Sequence, residues 1–113
     1  LLELGDQMGV IPELEFWGPS TAIGRLSTAM FIAMEAAHPK ACVLGDFYHM
    51  YKGGTSMDSL RLIGPRTMPV VHCNDYPANP GRDKISDADR VYPGDGVAPL
   101  VDMLRILRAN GAE

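Results

Sequence analysis

Three short apolar runs, typical of buried strands, alternate with stretches of helical periodicity along the chain. The predicted strands lie at residues 10–16, 41–46 and 68–74. The predicted helical segments lie at residues 1–8, 21–37, 47–52, 56–63 and 97–109. Strands that alternate with helices indicate right-handed βαβ units, and therefore a parallel sheet. The pattern predicts an α/β fold.

The ends of these elements carry residues that start and stop helices. Gly9 follows the first helix, and Pro19-Ser20-Thr21 is a typical helix start. His38 ends the second helix because it precedes Pro39, and a residue before proline avoids the helical conformation. The last helix carries an apolar stripe that we expect to be buried, formed by Val97, Leu100, Val101, Leu104 and Leu107.

A long polar loop separates the third strand from the last helix. Residues 75–96 are rich in proline, glycine and acidic side chains. Structureless loops of more than about 12–15 residues are uncommon in compact domains and are often functional lids. We therefore expect residues 75–96, called the lid loop below, to serve a site.

Each predicted strand carries one potential metal ligand near its carboxyl end: Glu15, Asp46 and His72. The carboxyl ends of parallel strands lie on one side of an α/β fold, so these side chains are expected to converge. Two carboxylates and an imidazole suit a divalent ion such as Mn²⁺, Mg²⁺, Co²⁺ or Zn²⁺. Each residue alone is more often structural, and the prediction rests on their equivalent positions in successive units.

Three other side chains have both a functional and a structural interpretation. His49 follows Asp46 by three residues and can reach the same site, or it can be a turn histidine bonded to the backbone. Trp17 can stack on a sugar ring, or it can cover the end of a barrel. Lys52 can meet a phosphate, although a solvated lysine is the more common case.

Composition narrows the class of partner. The 113 residues carry a net charge of -4, with 46% hydrophobic and 21% charged residues, which is ordinary for a soluble globular chain. The acidic balance argues against nucleic acid or an anionic membrane as a partner, and no apolar run is long enough to span a bilayer. Cys42 and Cys73 lie in apolar strands and are expected to be reduced, buried packing residues, which fits a cytoplasmic protein.

Four segments of the chain share a pattern with a known family: Leu14-Glu-Phe-Trp17, Leu44-Gly-Asp-Phe-Tyr-His49, Val71-His-Cys-Asn-Asp75 and Arg90-Val-Tyr-Pro-Gly-Asp-Gly96. Together they resemble the xylose-isomerase-like TIM-barrel superfamily. The similarity is to its sugar-phosphate isomerase/epimerase branch, which includes tagatose-3-epimerase-like enzymes and inosose dehydratase relatives. It implies a partial (β/α)₈ TIM barrel with parallel strands about five to seven, and residues 1–113 as a fragment of a single domain.

The resemblance also implies roles for individual residues. Glu15, Asp46 and His72 would hold the divalent metal ion, with a second glutamate expected beyond residue 113. His49 and Arg90 would contact substrate oxygens, and Trp17 would line the sugar site. In epimerase-type members two metal-bound glutamates move a proton next to a carbonyl through a metal-stabilised enediolate. Glu15 would be one of that pair, and His49 is predicted to act with it as a catalytic residue.

The function implied by the resemblance is a metal-dependent sugar or sugar-phosphate isomerase or epimerase. Alternatives are an inosose-dehydratase-like lyase, an endonuclease-IV-like phosphodiesterase and a non-catalytic sugar-binding barrel. The phosphodiesterase is disfavoured because it needs several metals and more histidines than the three present. A complete TIM barrel takes about 250 residues, so we expect these residues alone to be inactive and either unstable or homo-oligomeric.

Overall fold

A computed structural model describes all of residues 1–113. The chain forms a three-stranded parallel sheet in the order β1-β2-β3, with β1 at Leu14–Glu15, β2 at Val43–Asp46 and β3 at Val70–His72. The α-helices are α1 (Leu2–Met8), α2 (Leu26–Glu35), α3 (Phe47–Gly53) and α4 (Leu100–Ala109), and 3₁₀ helices cover Met57–Leu62 and Asp87–Asp89. The predicted α/β class and parallel sheet are confirmed. Each strand is shorter than the sequence predicted.

The register of the sheet decides which side chains share a face. Glu15 is paired with Leu44, and Asp46 is paired with His72. Because side chains alternate between faces along a strand, Glu15, Asp46 and His72 project from the same face near the carboxyl ends. The opposite face packs against the helices in the main hydrophobic core, to which it contributes Leu14, Val43 and Val71.

Helix α2 begins later than predicted. The expected start at residue 21 is wrong, because the Ser20 hydroxyl accepts hydrogen bonds from the amides of Ala22 and Ile23 and forms a separate turn. Arg25 is still extended (φ -130°, ψ 147°), so the helix starts at Leu26. Leu26 and Ala29 then fix the helix in the core.

The buried face of α4 also differs from the prediction. Leu100 and Leu107 are buried as expected, but Val101 and Leu104 are 61% and 47% exposed. The helix packs on the 3₁₀ helix Met57–Leu62, which turns a different stripe inward. Val97, also predicted to be buried, precedes the helix and is exposed. The side chains that α4 does bury are Leu100, Met103, Ile106 and Leu107.

The two cysteines have different environments. Cys42 is buried beside strand β2, as predicted, and burial raises the pKa of its thiol. The prediction that Cys73 is buried is wrong: it is exposed, because β3 ends at His72 and the chain turns into the lid loop. Both thiols are free.

The lid loop is ordered around one buried carboxylate. Asp75 accepts hydrogen bonds from the amides of Tyr76, Gly94, Gly96 and Ala98 at 2.7–3.1 Å. Burial raises the pKa of Asp75, but these four amides outweigh it, so the pKa lies below its ordinary value. An antiparallel bridge between residues 75 and 91 closes the loop on itself. The segment expected to be a structureless lid is therefore held by defined hydrogen bonds and contains a short 3₁₀ helix.

None of the helices combines the length and the apolar character required to cross a lipid bilayer.

Candidate metal centre

The structure brings Glu15, Asp46 and His72, called the ligand triad below, to one point. One potential ligand atom from each residue lies within 4.8 Å of the others. His72 Nδ1 lies 3.4 Å from Glu15 Oε1 and 3.5 Å from Asp46 Oδ2. Asp46 is fully buried, whereas the Glu15 and His72 side chains are 40% and 52% exposed. The triad therefore opens to one side and is anchored from behind by Asp46.

Asp46 is held rigidly by two partners. Its Oδ1 accepts a hydrogen bond from the His49 amide at 2.7 Å, which caps helix α3. Its Oδ2 accepts a hydrogen bond from Asn74 Nδ2 at 2.7 Å. Asn74 is fixed in turn, because its Oδ1 accepts from the Tyr48 amide at 2.8 Å. Asn74 lies two residues after His72, within the segment Val71–Asp75, but no sequence pattern distinguished it as a support of Asp46.

The chemistry of the triad fits a divalent cation. Carboxylate oxygens and imidazole nitrogens bind Zn²⁺ at about 2.0–2.2 Å, so two ligands of one tetrahedral ion lie about 3.4 Å apart. The separations between His72 Nδ1 and each carboxylate have this value. The hydrogen bond from Asn74 to Asp46 is the kind of outer contact that orients a metal-binding carboxylate. The residues present therefore suit the metal that the sequence predicted.

His49 lies beside the triad on the first turn of α3. It is 6% exposed, and its Nδ1 atom is buried without a hydrogen-bond partner. The structural alternative, a ring bonded to the backbone, is not observed, since only its main-chain amide is bonded, to Asp46. The Nδ1 atom of His49 therefore has no hydrogen-bond partner within the protein.

Arg90 reaches the same place from the lid loop. Its Nη1 lies 3.7 Å from Asp46 Oδ2, and its guanidinium carbon lies 5.4 Å from the centre of the Tyr48 ring. The Arg90 Nε atom donates to the main-chain oxygen of Asp87 at 3.2 Å. Arg90 therefore lies close to the triad, and its contact with a substrate stays a prediction.

Trp17 and Asp87 join the sheet to the lid loop. The Trp17 ring is 52% exposed, and its Nε1 donates to Asp87 Oδ2 at 3.1 Å. Asp87 could not be singled out from the sequence, because a single acid in a polar loop carries no distinctive pattern. Lys52 also joins the loop, since its Nζ donates to the main-chain oxygens of Arg82 and Asp83 at 2.9 and 3.1 Å.

Tyr48 forms the buried floor next to His49. Burial raises its pKa to about 12, and the charge of Asp87 acts in the same direction while Arg90 opposes it. The phenol is therefore neutral at physiological pH. Its hydroxyl oxygen is buried and has no protein partner.

Comparison with known proteins agrees with this architecture. An inosose isomerase from Halalkalibacterium halodurans is 28% identical over 112 residues, which are 98% of this chain and 39% of the relative. A xylose isomerase domain protein from Alicyclobacillus acidocaldarius superimposes with a TM-score of 0.83 at 28% identity, covering 99% of this chain and 42% of that one. The crystal structure of the IOLI protein with a bound zinc atom gives a TM-score of 0.88 at 25% identity, covering 98% and 40%.

The chain therefore spans about two fifths of the length of the relatives that it matches. The family model of the xylose isomerase-like TIM barrel matches residues 1–113, the whole chain. The three parallel strands and their helices are the corresponding part of such a barrel. This chain belongs to the xylose isomerase-like TIM barrel family.

Proposed function

We propose that this chain supplies the metal ligands and substrate contacts of a metal-dependent sugar isomerase or epimerase. The observation that carries the proposal is the convergence of Glu15, Asp46 and His72 at the carboxyl end of the sheet. Active sites of TIM barrels lie at that end. The inosose isomerase relative supports a substrate that is a polyol with a carbonyl group.

We further propose that the chain works within a complete (β/α)₈ barrel as its strands five to seven. Its match to 39% of the inosose isomerase relative supports this interpretation. The fourth metal ligand, a second glutamate, would then come from a strand outside residues 1–113. We call this longer protein the complete barrel, and activity is to be measured on it.

Glu15, Asp46 and His72 would hold the metal ion. When bound there, a divalent ion supplies positive charge that polarises a carbonyl oxygen and stabilises the anion formed beside it. The zinc atom in the IOLI protein supports an ion of this class. Manganese, magnesium, cobalt and zinc are the candidates, because the triad combines two oxygen donors and one nitrogen donor.

The protein residues have separate roles in the reaction. The partly exposed carboxylate of Glu15 removes the proton from the carbon next to the carbonyl. Asp46 cannot approach a substrate, because it is buried and held by His49 and Asn74, so it acts as a ligand alone. The free imidazole of His49 and the guanidinium of Arg90 orient substrate oxygens, and the exposed ring of Trp17 packs on the sugar.

A lyase is the second candidate. The inosose relative indicates a cyclic polyol with a ketone group, and the same removal of a proton by Glu15 starts either isomerisation or loss of water. The two reactions differ in mass balance, because only dehydration releases water. The fate of the substrate therefore distinguishes them.

The test uses the complete barrel. The protein is stripped of metal with a chelator and reconstituted separately with Mn²⁺, Mg²⁺, Co²⁺ or Zn²⁺, then offered inosose, ketoses and phosphorylated ketoses. Reaction in D₂O should place solvent deuterium on the carbon next to the carbonyl of an isomerised product. Glu15→Gln should abolish this exchange, whereas Glu35→Gln, at the end of helix α2, should not. Full turnover by the chelated protein or by Glu15→Gln would contradict the proposal.

A further inference from the structure

Side chains from elsewhere in the chain hold the lid loop at residues 82, 83 and 87. Lys52 Nζ holds the main-chain oxygens of residues 82 and 83, and Trp17 Nε1 holds Asp87 Oδ2 at 3.1 Å. Between these points Ile85 is buried in a small cluster with Tyr48 and Tyr76. These contacts give Asp87 a defined position beside helix α3.

Asp87 has one satisfied oxygen and one that is not. Its Oδ2 accepts from Trp17, but its Oδ1 is buried without a partner. His49 Nδ1, also buried and without a partner, lies 3.9 Å away. Buried polar atoms are almost always hydrogen-bonded, and leaving one unpaired is costly. Two such atoms facing each other indicate that a polar group from outside the protein belongs between them.

The separation of these two atoms suits one bridging oxygen. A distance of 3.9 Å is too long for a direct hydrogen bond. A single oxygen about 2.8 Å from each atom would bridge them. A hydroxyl group satisfies both atoms at once, because it donates its hydrogen to the carboxylate of Asp87 and accepts one from Nδ1–H of His49.

We propose that Asp87 is a substrate-binding residue that, together with His49, holds one hydroxyl group of a sugar or cyclic polyol next to the metal centre. This inference rests on the proposed function, and it adds the contact that selects a polyol as the substrate. The amide of His49 donates to the triad residue Asp46 at 2.7 Å, which places His49 next to the metal ligands. Because Asp87 carries a negative charge, the same position rejects a phosphate group.

Asp87 has a purely structural alternative, namely that it only fastens Trp17. Two variants separate the possibilities. Asp87→Asn keeps an oxygen acceptor for Trp17 and removes the charged acceptor for the hydroxyl. Trp17→Phe removes the Nε1 donor and keeps an aromatic ring, while the Lys52 contacts and the buried Ile85 still hold the loop. Asp83→Asn is the matched control, because its side chain is 96% exposed.

The experiment is calorimetric titration of the metal-loaded complete barrel with inosose and with a series of analogues that each lack one hydroxyl. In the unaltered protein, removing the bridged hydroxyl should weaken binding about 10- to 100-fold. Asp87→Asn should bind inosose with a similar loss of affinity. Removal of that hydroxyl should then not weaken binding further. Trp17→Phe and Asp83→Asn should keep the discrimination, and metal affinity should stay unchanged in Asp87→Asn.

Three results would overturn the inference. The first is full discrimination retained in Asp87→Asn, and the second is discrimination abolished as completely in Trp17→Phe. The third is an unaltered protein whose binding is weakened by the loss of no hydroxyl, which would assign the gap to water. In each case metal-dependent turnover with Glu15 would still stand. If the unaltered protein bound polyols with this selectivity but showed no metal-dependent turnover, the isomerase proposal would fail and the hydroxyl site would remain.

Discussion

Asp46 and His72 are register partners on adjacent parallel strands, and His72 Nδ1 lies 3.5 Å from Asp46 Oδ2. The pairing puts both side chains on one face at the end of the sheet. Glu15 joins them from the neighbouring strand with its Oε1 atom 3.4 Å from the same nitrogen. The backbone hydrogen bonds of the sheet therefore set the geometry of the triad before any metal binds.

The first prediction is that His72→Gln lowers the affinity of the complete barrel for Zn²⁺ and Co²⁺. Loss of an outer contact to a metal ligand typically costs 10–100-fold in affinity, so loss of a ligand should cost about 100-fold or more. Calorimetric titration measures the change, and the visible spectrum of bound Co²⁺ reports the altered ligands. His38→Gln is the control, because His38 contacts Asp6 away from the triad. Equal affinity in His72→Gln would remove His72 from the site.

The second prediction concerns Asn74, which supports the metal site without belonging to the triad. Asn74→Ala leaves Asp46 Oδ2 and the Tyr48 amide without their partners. We expect metal affinity to fall about 10- to 100-fold. Asn110→Ala is the matched control, since Asn110 also makes two hydrogen bonds, to the main-chain oxygens of Leu60 and Ile63. It should reduce stability and leave metal affinity unchanged; equal losses in both variants would mean that Asn74 acts through stability alone.

The sequence was sufficient to predict the triad, because strand ends and side-chain alternation follow from local pattern. Glu15, Asp46 and His72 each occupy the last residue of their strand. Parallel pairing brings such residues together whatever the loops do. The resemblance to a known barrel family supplied the order of the strands. That resemblance is confirmed.

The features that were missed depend on long-range packing. Helix α4 carries two apolar stripes, and only its contact with the 3₁₀ helix Met57–Leu62 selects Met103 and Ile106 over Val101 and Leu104. Asp87 meets His49 because the lid loop is folded by contacts made elsewhere in the molecule. No periodicity in the sequence encodes either relationship.

The third prediction is that Asp75 makes stability depend on pH. Its pKa is lowered in the folded state, so its stabilising effect is complete above the unfolded-state value of about 3.9 and is lost as pH falls through the folded-state pKa. Asp75→Asn should lower the free energy of unfolding at pH 7 by about 1–3 kcal/mol. Urea unfolding of the metal-free complete barrel from pH 7 to pH 3 measures both effects.

The control for this prediction is Asp95→Asn, which alters an exposed acid in the same loop. The stability difference between the unaltered protein and Asp75→Asn should shrink as the pH is lowered, because the unaltered carboxylate becomes protonated. A difference that stays constant down to pH 3 would show that the charge of Asp75 does not stabilise the loop.

The last prediction is that residues 1–113, produced alone, associate or unfold. Their accessible surface is 7065 Å². A compact monomer of this mass is expected to expose about 6,100 Å². Val70 on the sheet and Leu104 on α4 contribute to the excess, being 46% and 47% exposed. Apolar surface of this kind favours self-association. Sedimentation velocity should therefore detect oligomers, and Leu104→Glu should reduce them, whereas Arg105→Glu changes charge without removing apolar area. A monomer that unfolds cooperatively and turns over substrate as fast as the complete barrel would contradict this expectation.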